Sequence, residues 1–286
     1  MEYLVSAESH PYYHWQIELL VQSFRKTHQE KNLLVVLTES NAPQSVRFNN
    51  LIESLPRIQG FQNLGKIRGH EPLNNLYCLQ WAVQAGLIQQ PFTWLIQPDV
   101  VLRHPLDPTF KDYSECFFYP DVFFSFNEAA KIGPFWEWLG KEKSDYQSRW
   151  MPIGNIMIFS KLPVDIFPLF SHRAELLATH QLIEDKPISN KTIYLAVATV
   201  LSEYSDHIFC KGDYTLASGM LEGTESYFIS YEQGMLPNFH KSMFSYAAPN
   251  YVAFGNPLQI LSENFPSPNA FHVSCLAKDY LKASKD

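Results

Sequence analysis

Residues 33–38, LLVVLT, place apolar side chains at successive positions, so both faces of an extended segment here are hydrophobic. Such a strand needs cover on both sides, which a central parallel strand between helical layers has and a half-exposed strand lacks. The residues before it fit that demand. Tyr3-Leu4-Val5-Ser6-Ala7 is a second short apolar run, and Ser9-His10-Pro11 offers a cap followed by a proline suited to a first helical turn. Ile17, Leu20, Val21 and Phe24 then recur at spacings of 3 and 4, which predicts an amphipathic helix through about Lys26. Strand, helix, strand in that order predicts an α/β sheet with helices packed on it.

Further along, residues 40–70 show no clear pattern. A helix is predicted over Leu76 to Ala85, ended by Gly86, and Phe92 to Ile96 (FTWLI) reads as a strand. The aromatic stretch from Cys116 to Phe126 is β-like, Ile156 to Phe159 is another strand, and Ile193, Val197, Val200 and Leu201 mark a helix after Pro187. The last 75 residues or so mix Gly, Pro and aromatics without clear period. The expected architecture is a single domain over 1–286, with a core of sheet and helices in 1–205 and a loop-rich C-terminal lobe in 206–286.

Charge and motif content remove several classes of function. Against 22 Lys and Arg stand 29 Asp and Glu, a net charge of −7 that argues against a nucleic-acid partner while leaving room for one local basic pocket. Hydrophobic residues at 46% and charged residues at 18% are a globular composition. Cys78, Cys116, Cys210 and Cys275 have neither CxxC nor zinc spacing and read as buried thiols of a reducing compartment. The opening Met-Glu-Tyr-Leu-Val-Ser-Ala-Glu lacks a basic n-region, and no window approaches the ~18 apolar residues of a membrane span. The expectation is a cytoplasmic protein without a membrane span. GxSxG, GxGxxG and GxxxxGK[ST] do not occur, so serine-hydrolase, dinucleotide and Walker-loop readings fall away.

The most informative stretch is FTWLIQPDVVLRHPL, residues 92–106. An acid flanked by apolar residues just after an apolar strand puts one carboxylate at the carboxyl edge of the sheet, where open α/β sheets bind ligands. Asp99 there could hold Mg²⁺ or Mn²⁺ against a diphosphate, since hard cations prefer carboxylate and phosphate oxygens. It could equally cap a turn after Pro98. Pro152-Ile153-Gly154-Asn155 is similarly open: Gly154 permits close backbone approach and Asn155 can meet a sugar hydroxyl, or the segment is an ordinary turn entering a strand. Ala7-Glu8-Ser9 shares the same sheet edge or only caps the helix. None of the 10 histidines sits in a metal-binding spacing, but His240 and His272 could fold back to complete a metal shell.

Taken together, several segments resemble one family. Residues 4–26, LVSAESHPYYHWQIELLVQSFRK, are similar to the opening strand, polar loop and Tyr/Trp-Gln helix of the plant hydroxyproline O-arabinosyltransferases and peptidyl-serine α-galactosyltransferases. Pro72-Leu73-Asn74-Asn75 is similar to that family's Pro-Ile-Asn-Arg, and Gln97-Pro98-Asp99 to its Glu-Pro-Asp. Gly133-Pro134-Phe135-Trp136-Glu137-Trp138 and Pro152-Ile153-Gly154-Asn155 follow in the family's order, and the likeness covers roughly residues 3–205.

The resemblance implies a GT-A fold, a Rossmann-like and mostly parallel sheet flanked by helices. It also implies transfer of a sugar from a nucleotide donor, a UDP-sugar, to a hydroxyl acceptor on a peptide or small molecule, with retention of configuration. Asp99 would then hold a divalent ion, Mn²⁺ or Mg²⁺. Glu8 and Ser9 would face the nucleotide, while Asn74, Gly154 and Asn155 would contact nucleotide or donor sugar. Lys66 and Arg68 are candidate phosphate partners. The chain departs from the family at Gln97, which replaces a Glu, at Asn75, which replaces an Arg, and at Ile229-Ser230-Tyr231, the nearest match to a family Ile-His-Tyr. Those losses motivate the alternative of a degenerate, non-catalytic GT-A domain that binds a glycan or a protein partner. A nucleotidyltransferase on a similar sheet would need a Gly-rich basic loop after the first strand, which is missing here.

Overall fold

The computed structural model of the protein describes residues 2–9, 11–38, 46–61, 71–88, 92–105, 117–119, 122–125, 150–153, 156–160, 165–183, 196, 200, 209–210, 216–218, 228–230, 233–236, 239–240, 257–262 and 268–283. In chain order the elements are β1 (Glu2–Glu8), α1 (Pro11–Lys26), β2 (Leu33–Thr38), α2 (Val46–Ser54), β3 (Ile58–Phe61), α3 (Glu71–Gln84), β4 (Phe92–Ile96) and β5 (Val100–Leu102). There follow β6 (Phe117–Tyr119), β7 (Val122–Ser125), β8 (Trp150–Ile153), β9 (Ile156–Ser160), α4 (Ile166–Ile183), β10 (Phe209–Cys210), β11 (Leu216–Ser218), β12 (Phe228–Ser230), β13 (Gln233–Leu236) and β14 (Phe239–His240). The last two are α5 (Pro257–Leu261) and α6 (Pro268–Ala283).

The chain divides into two compact units, one built from residues 2–62, 96–110 and 212–286 and the other mainly from 63–95 and 111–211. In the first unit β1, β2 and β3 are parallel and β2 lies between the other two. The demand of LLVVLT for cover on both faces is met there: Leu33, Val35 and Val36 are wholly buried. Ile17, Leu20, Val21 and Phe24 of α1 are wholly buried as well, and the rings of Phe24 and Tyr3 meet edge to face at 4.8 Å. Residues 40–70, which carry no clear pattern, contain α2 and β3. The C-terminal segment contributes β12, antiparallel to β5 and parallel to β11, together with α5 and α6. Helix α6 is tied to α1 by the Lys26–Asp279 ion pair and to α5 by Ser274 Oγ donating to the Ser262 carbonyl at 3.2 Å.

In the second unit β4 and β6 both pair antiparallel with β9, β6 pairs parallel with β10, and β7 pairs antiparallel with β8. Polar side chains link α3 to α4: the Tyr77 hydroxyl donates to the Glu175 carboxylate, and Ser171 Oγ donates to Gln80 Oε1 at 2.7 Å. Ala196 and Val200 have helical backbone, and the rest of the helix predicted after Pro187 lies outside the described residues.

Two helices end in the same hydrogen-bond pattern with different residues at the turn. At the end of α1, His28 N–H donates to the Arg25 carbonyl at 3.1 Å and Gln29 N–H to Phe24 at 2.8 Å, with His28 at φ 56°. At the end of α3, Gly86 N–H reaches Val83 at 3.0 Å and Leu87 N–H reaches Ala82 at 2.9 Å, with Gly86 at φ 66°. An added Cβ on Gly86 meets nothing within 4 Å, so only the backbone resists a larger residue. Gly86→Ala is therefore expected to cost about 1 kcal/mol, and His28→Gly to add about 0.5–1 kcal/mol, read as opposite shifts of the urea midpoint.

Candidate functional site

Strand β4 runs into the turn Gln97-Pro98-Asp99 and on into β5. Two neighbours in the first unit hold β5. Leu102 N–H donates to Ser23 Oγ of α1 at 3.0 Å, and that hydroxyl in turn donates to the Leu20 carbonyl at 2.6 Å. On the other side β12 runs antiparallel, with Ser230 opposite Val100. The position matched to the family's Ile-His-Tyr histidine thus pairs with the residue next to Asp99. Asp99 is only 1% exposed and Gln97 5%. Burying a carboxylate is costly unless it is paired or hydrogen-bonded, so Asp99 is an expensive residue to keep at this turn.

The carboxyl ends of the parallel strands are aligned by register, with Glu8 opposite Thr38 and Thr38 opposite Phe61. Glu8 is the last residue of β1, and the buried Ser9 follows it before α1 begins. Ligands of open α/β sheets bind beyond such an edge. The first turns of α1 bring further polar groups inside: His14 lies flat on Phe48 of α2, with rings 3.7 Å apart at 13°, and Gln16 Nε2 donates to the Tyr12 carbonyl at 2.8 Å. Glu18 is wholly buried. No motif marks His14 or Glu18 in the sequence. His14 and Glu18 are nevertheless in phase with Val21 on the apolar stripe, and polar residues in phase with a core-facing stripe were the available signal.

The other predicted site residues are distributed as follows. Asn74 lies in α3, in the second unit, and His240 ends β14 opposite Gln233. Lys66, Arg68, Gly154 and Asn155 fall outside the described residues. His272 lies in α6, half-buried, and its neighbours are cationic. Burial first, then the charges of Arg103, Lys26 and His104, hold its pKa down at about 4. Asp99 precedes β5, whereas Arg103 and His104 follow it. Among the described residues no three His, Cys, Asp or Glu side chains converge as a metal cage. The donor set at the turn, one buried carboxylate with a neutral amide two residues before it, fits a hard divalent ion that draws its remaining oxygens from a ligand and water.

The surroundings of His272 make stability acid-sensitive. The unfolded chain takes up a proton near the ordinary histidine value of 6.5, and the folded chain only near 4, so stability present above pH 6.5 is lost as pH falls from there toward 4. After discounting for solvent screening the loss is about 1–2 kcal/mol. Urea midpoints at pH 7 and pH 4.5 are expected to differ less in His272→Gln than in the parent; equal differences would show that this histidine is not the group responsible.

No protein-family model matches the chain, and no curated protein matches it in sequence. Its backbone is similar to that of solved glycosyltransferases. One is the galactosyltransferase LgtC in complex with donor and acceptor sugar analogues, with a TM-score of 0.51 at 10% identity, covering 98% of this chain and 96% of that one. Another is the bifunctional glycosyltransferase WbbM in its apo form, with a TM-score of 0.50 at 11% identity, covering 96% of this chain. This chain spans about half of WbbM, 51% of its length. At such identities the likeness shows the fold: the chain has the GT-A fold of glycosyltransferases, an α/β fold in which helices flank the sheet.

Proposed function

We propose that this protein is a glycosyltransferase that moves a sugar from a nucleotide donor, a UDP-sugar, to a hydroxyl group of a peptide or small-molecule acceptor, with retention of anomeric configuration. The observation that carries the reading is the buried Asp99 between β4 and β5 of a GT-A fold whose likeness to LgtC covers 98% of the chain. In the reaction the bond from the anomeric carbon to the diphosphate oxygen breaks, a bond from that carbon to the acceptor oxygen forms, and the acceptor's hydroxyl proton passes to the departing diphosphate. Asp99 holds Mn²⁺ or Mg²⁺, which when bound neutralises charge on the departing diphosphate. Glu8 and Ser9, at the carboxyl edge of β1, face the nucleotide. Lys66 and Arg68 bind phosphate, and Asn74, Gly154 and Asn155 contact the nucleotide or the donor sugar. Asp99 leads directly into the wholly buried Val100 and Val101 of β5, which hold the backbone that carries it.

Thermal unfolding against UDP, GDP, CMP and ADP, each with and without Mn²⁺, tests the donor class. A nucleotide at 100 times its Kd stabilises by about 2.7 kcal/mol, and the largest rise is expected with UDP and Mn²⁺ together. A UDP response without metal would point to metal-independent transfer. No response to any nucleotide would favour a non-catalytic binding domain, the reading that Gln97 and Ser230 invite by thinning the ligand set around Asp99.

A further inference from the structure

The turn that joins β4 to β5 contains a single ionisable side chain. Gln97 and Pro98 are neutral, Asp99 is an acid, and the Val100 and Val101 that follow are apolar. Gln97 is 5% exposed and Asp99 1%, so an amide and a carboxylate are withdrawn from water two residues apart. On the helix that holds β5, the Ser23 hydroxyl is committed to the Leu102 N–H and the Leu20 carbonyl. Among the described residues no three His, Cys, Asp or Glu side chains converge. A buried amide costs far less to desolvate than a carboxylate, and two carboxylates at this spacing would also repel each other. Gln97 therefore lets the turn stay buried while no ion is bound. The same neutrality weakens the turn as a metal site, because affinity for a hard cation rises with the number of charged ligands. A diphosphate supplies both the missing negative charge and further oxygens.

We propose that Gln97 keeps the Asp99 turn from taking up Mn²⁺ or Mg²⁺ until a nucleotide diphosphate arrives with the ion. This rests on the donor site proposed at Asp99 and adds the residue that decides when that site fills. The dependence is reciprocal: the factor by which UDP raises affinity for the ion is the factor by which the ion raises affinity for UDP.

The probes are Mn²⁺ and UDP added to the whole protein. Titration followed by the paramagnetic resonance of free Mn²⁺ is expected to show no binding below about 1 mM in the absence of nucleotide. UDP binding measured by calorimetry is expected to tighten about 100-fold at saturating Mn²⁺. Gln97→Glu is expected to bind Mn²⁺ without nucleotide at least about tenfold more tightly than the parent, and to lose that gain when Asp99→Asn is added. Its thermal midpoint should lie below the parent's without metal and rise on Mn²⁺ alone, a response that the parent lacks. A merely structural role for Gln97 would lower the midpoint and create no response to metal. Binding of Mn²⁺ alone to the parent with a Kd on the order of micromolar overturns the proposal and leaves the donor-site reading standing. A folded Gln97→Glu that gains no affinity for Mn²⁺ does the same, as does UDP binding that is equally tight without the ion. Failure of UDP to bind even with Mn²⁺ overturns both. Should Gln97→Glu fail to fold, the two titrations of the parent decide.

Discussion

Asp99→Asn is expected to yield a folded protein whose turnover of a UDP-sugar has fallen by at least about 10²–10³-fold, the scale of losing one preorganised electrostatic group at a developing charge. Asn fills the same volume, and Asp99 is 1% exposed, so the replacement neither opens a cavity nor reaches solvent. The amide can still accept and donate hydrogen bonds, and the desolvation cost of a buried carboxylate leaves with the charge. Melting of the unliganded variant should therefore stay close to that of the parent, while the Mn²⁺-dependent response to UDP disappears. The amide keeps an oxygen but loses the negative charge that a hard divalent ion requires. Undiminished turnover in a variant that melts normally would remove Asp99 from the chemistry, and with it the reading that places the donor diphosphate at this turn.

Where the chain declares its fold, it does so through segments with one unambiguous period. LLVVLT and the Ile17, Leu20, Val21, Phe24 stripe are such segments, and both elements lie where their patterns put them. Gly86 was legible as a stop because only a residue that tolerates positive φ ends a helix that way cheaply. His28 makes the same turn at the end of α1 without a glycine to advertise it. Helix α6 was illegible for another reason. Its buried positions, Asn269, Ala270, Val273, Ser274, Leu276, Ala277 and Tyr280, follow helical spacing, but small and polar side chains occupy much of the stripe. A hydrophobicity pattern does not register a face made of Asn, Ser and Ala. Asp99 stood out because an acid just after FTWLI is conspicuous, whereas the partners of the strand it leads into, α1 and β12, are far away in sequence. The setting of His272 was hidden for the same reason, since Lys26, Arg103 and His272 come near one another only after folding.

The largest loss of stability is expected at Phe24. Its side chain is wholly buried on α1, and its ring meets Tyr3 of β1 edge to face at 4.8 Å, while Tyr3 also meets Phe228 of β12 at 6.4 Å. Truncation to Ala removes the burial of the ring, the edge-to-face contact and the support of a neighbour that joins two strands. The surrounding side chains are wholly buried themselves, so the site cannot collapse without moving α1 off the sheet. Phe24→Ala is therefore expected to cost about 3–5 kcal/mol, at the upper end for core aromatics. That is a large share of the 5–15 kcal/mol typical of a folded domain. Phe271→Ala is the matched control: the same chemical change on α6, at a ring 54% exposed, should stay within about 0.5 kcal/mol. Urea unfolding of both variants reads the difference. Comparable losses at the two positions would mean that α1 does not pack its Phe24 face on β1, and the parallel sheet beneath the donor edge would lose its principal cover.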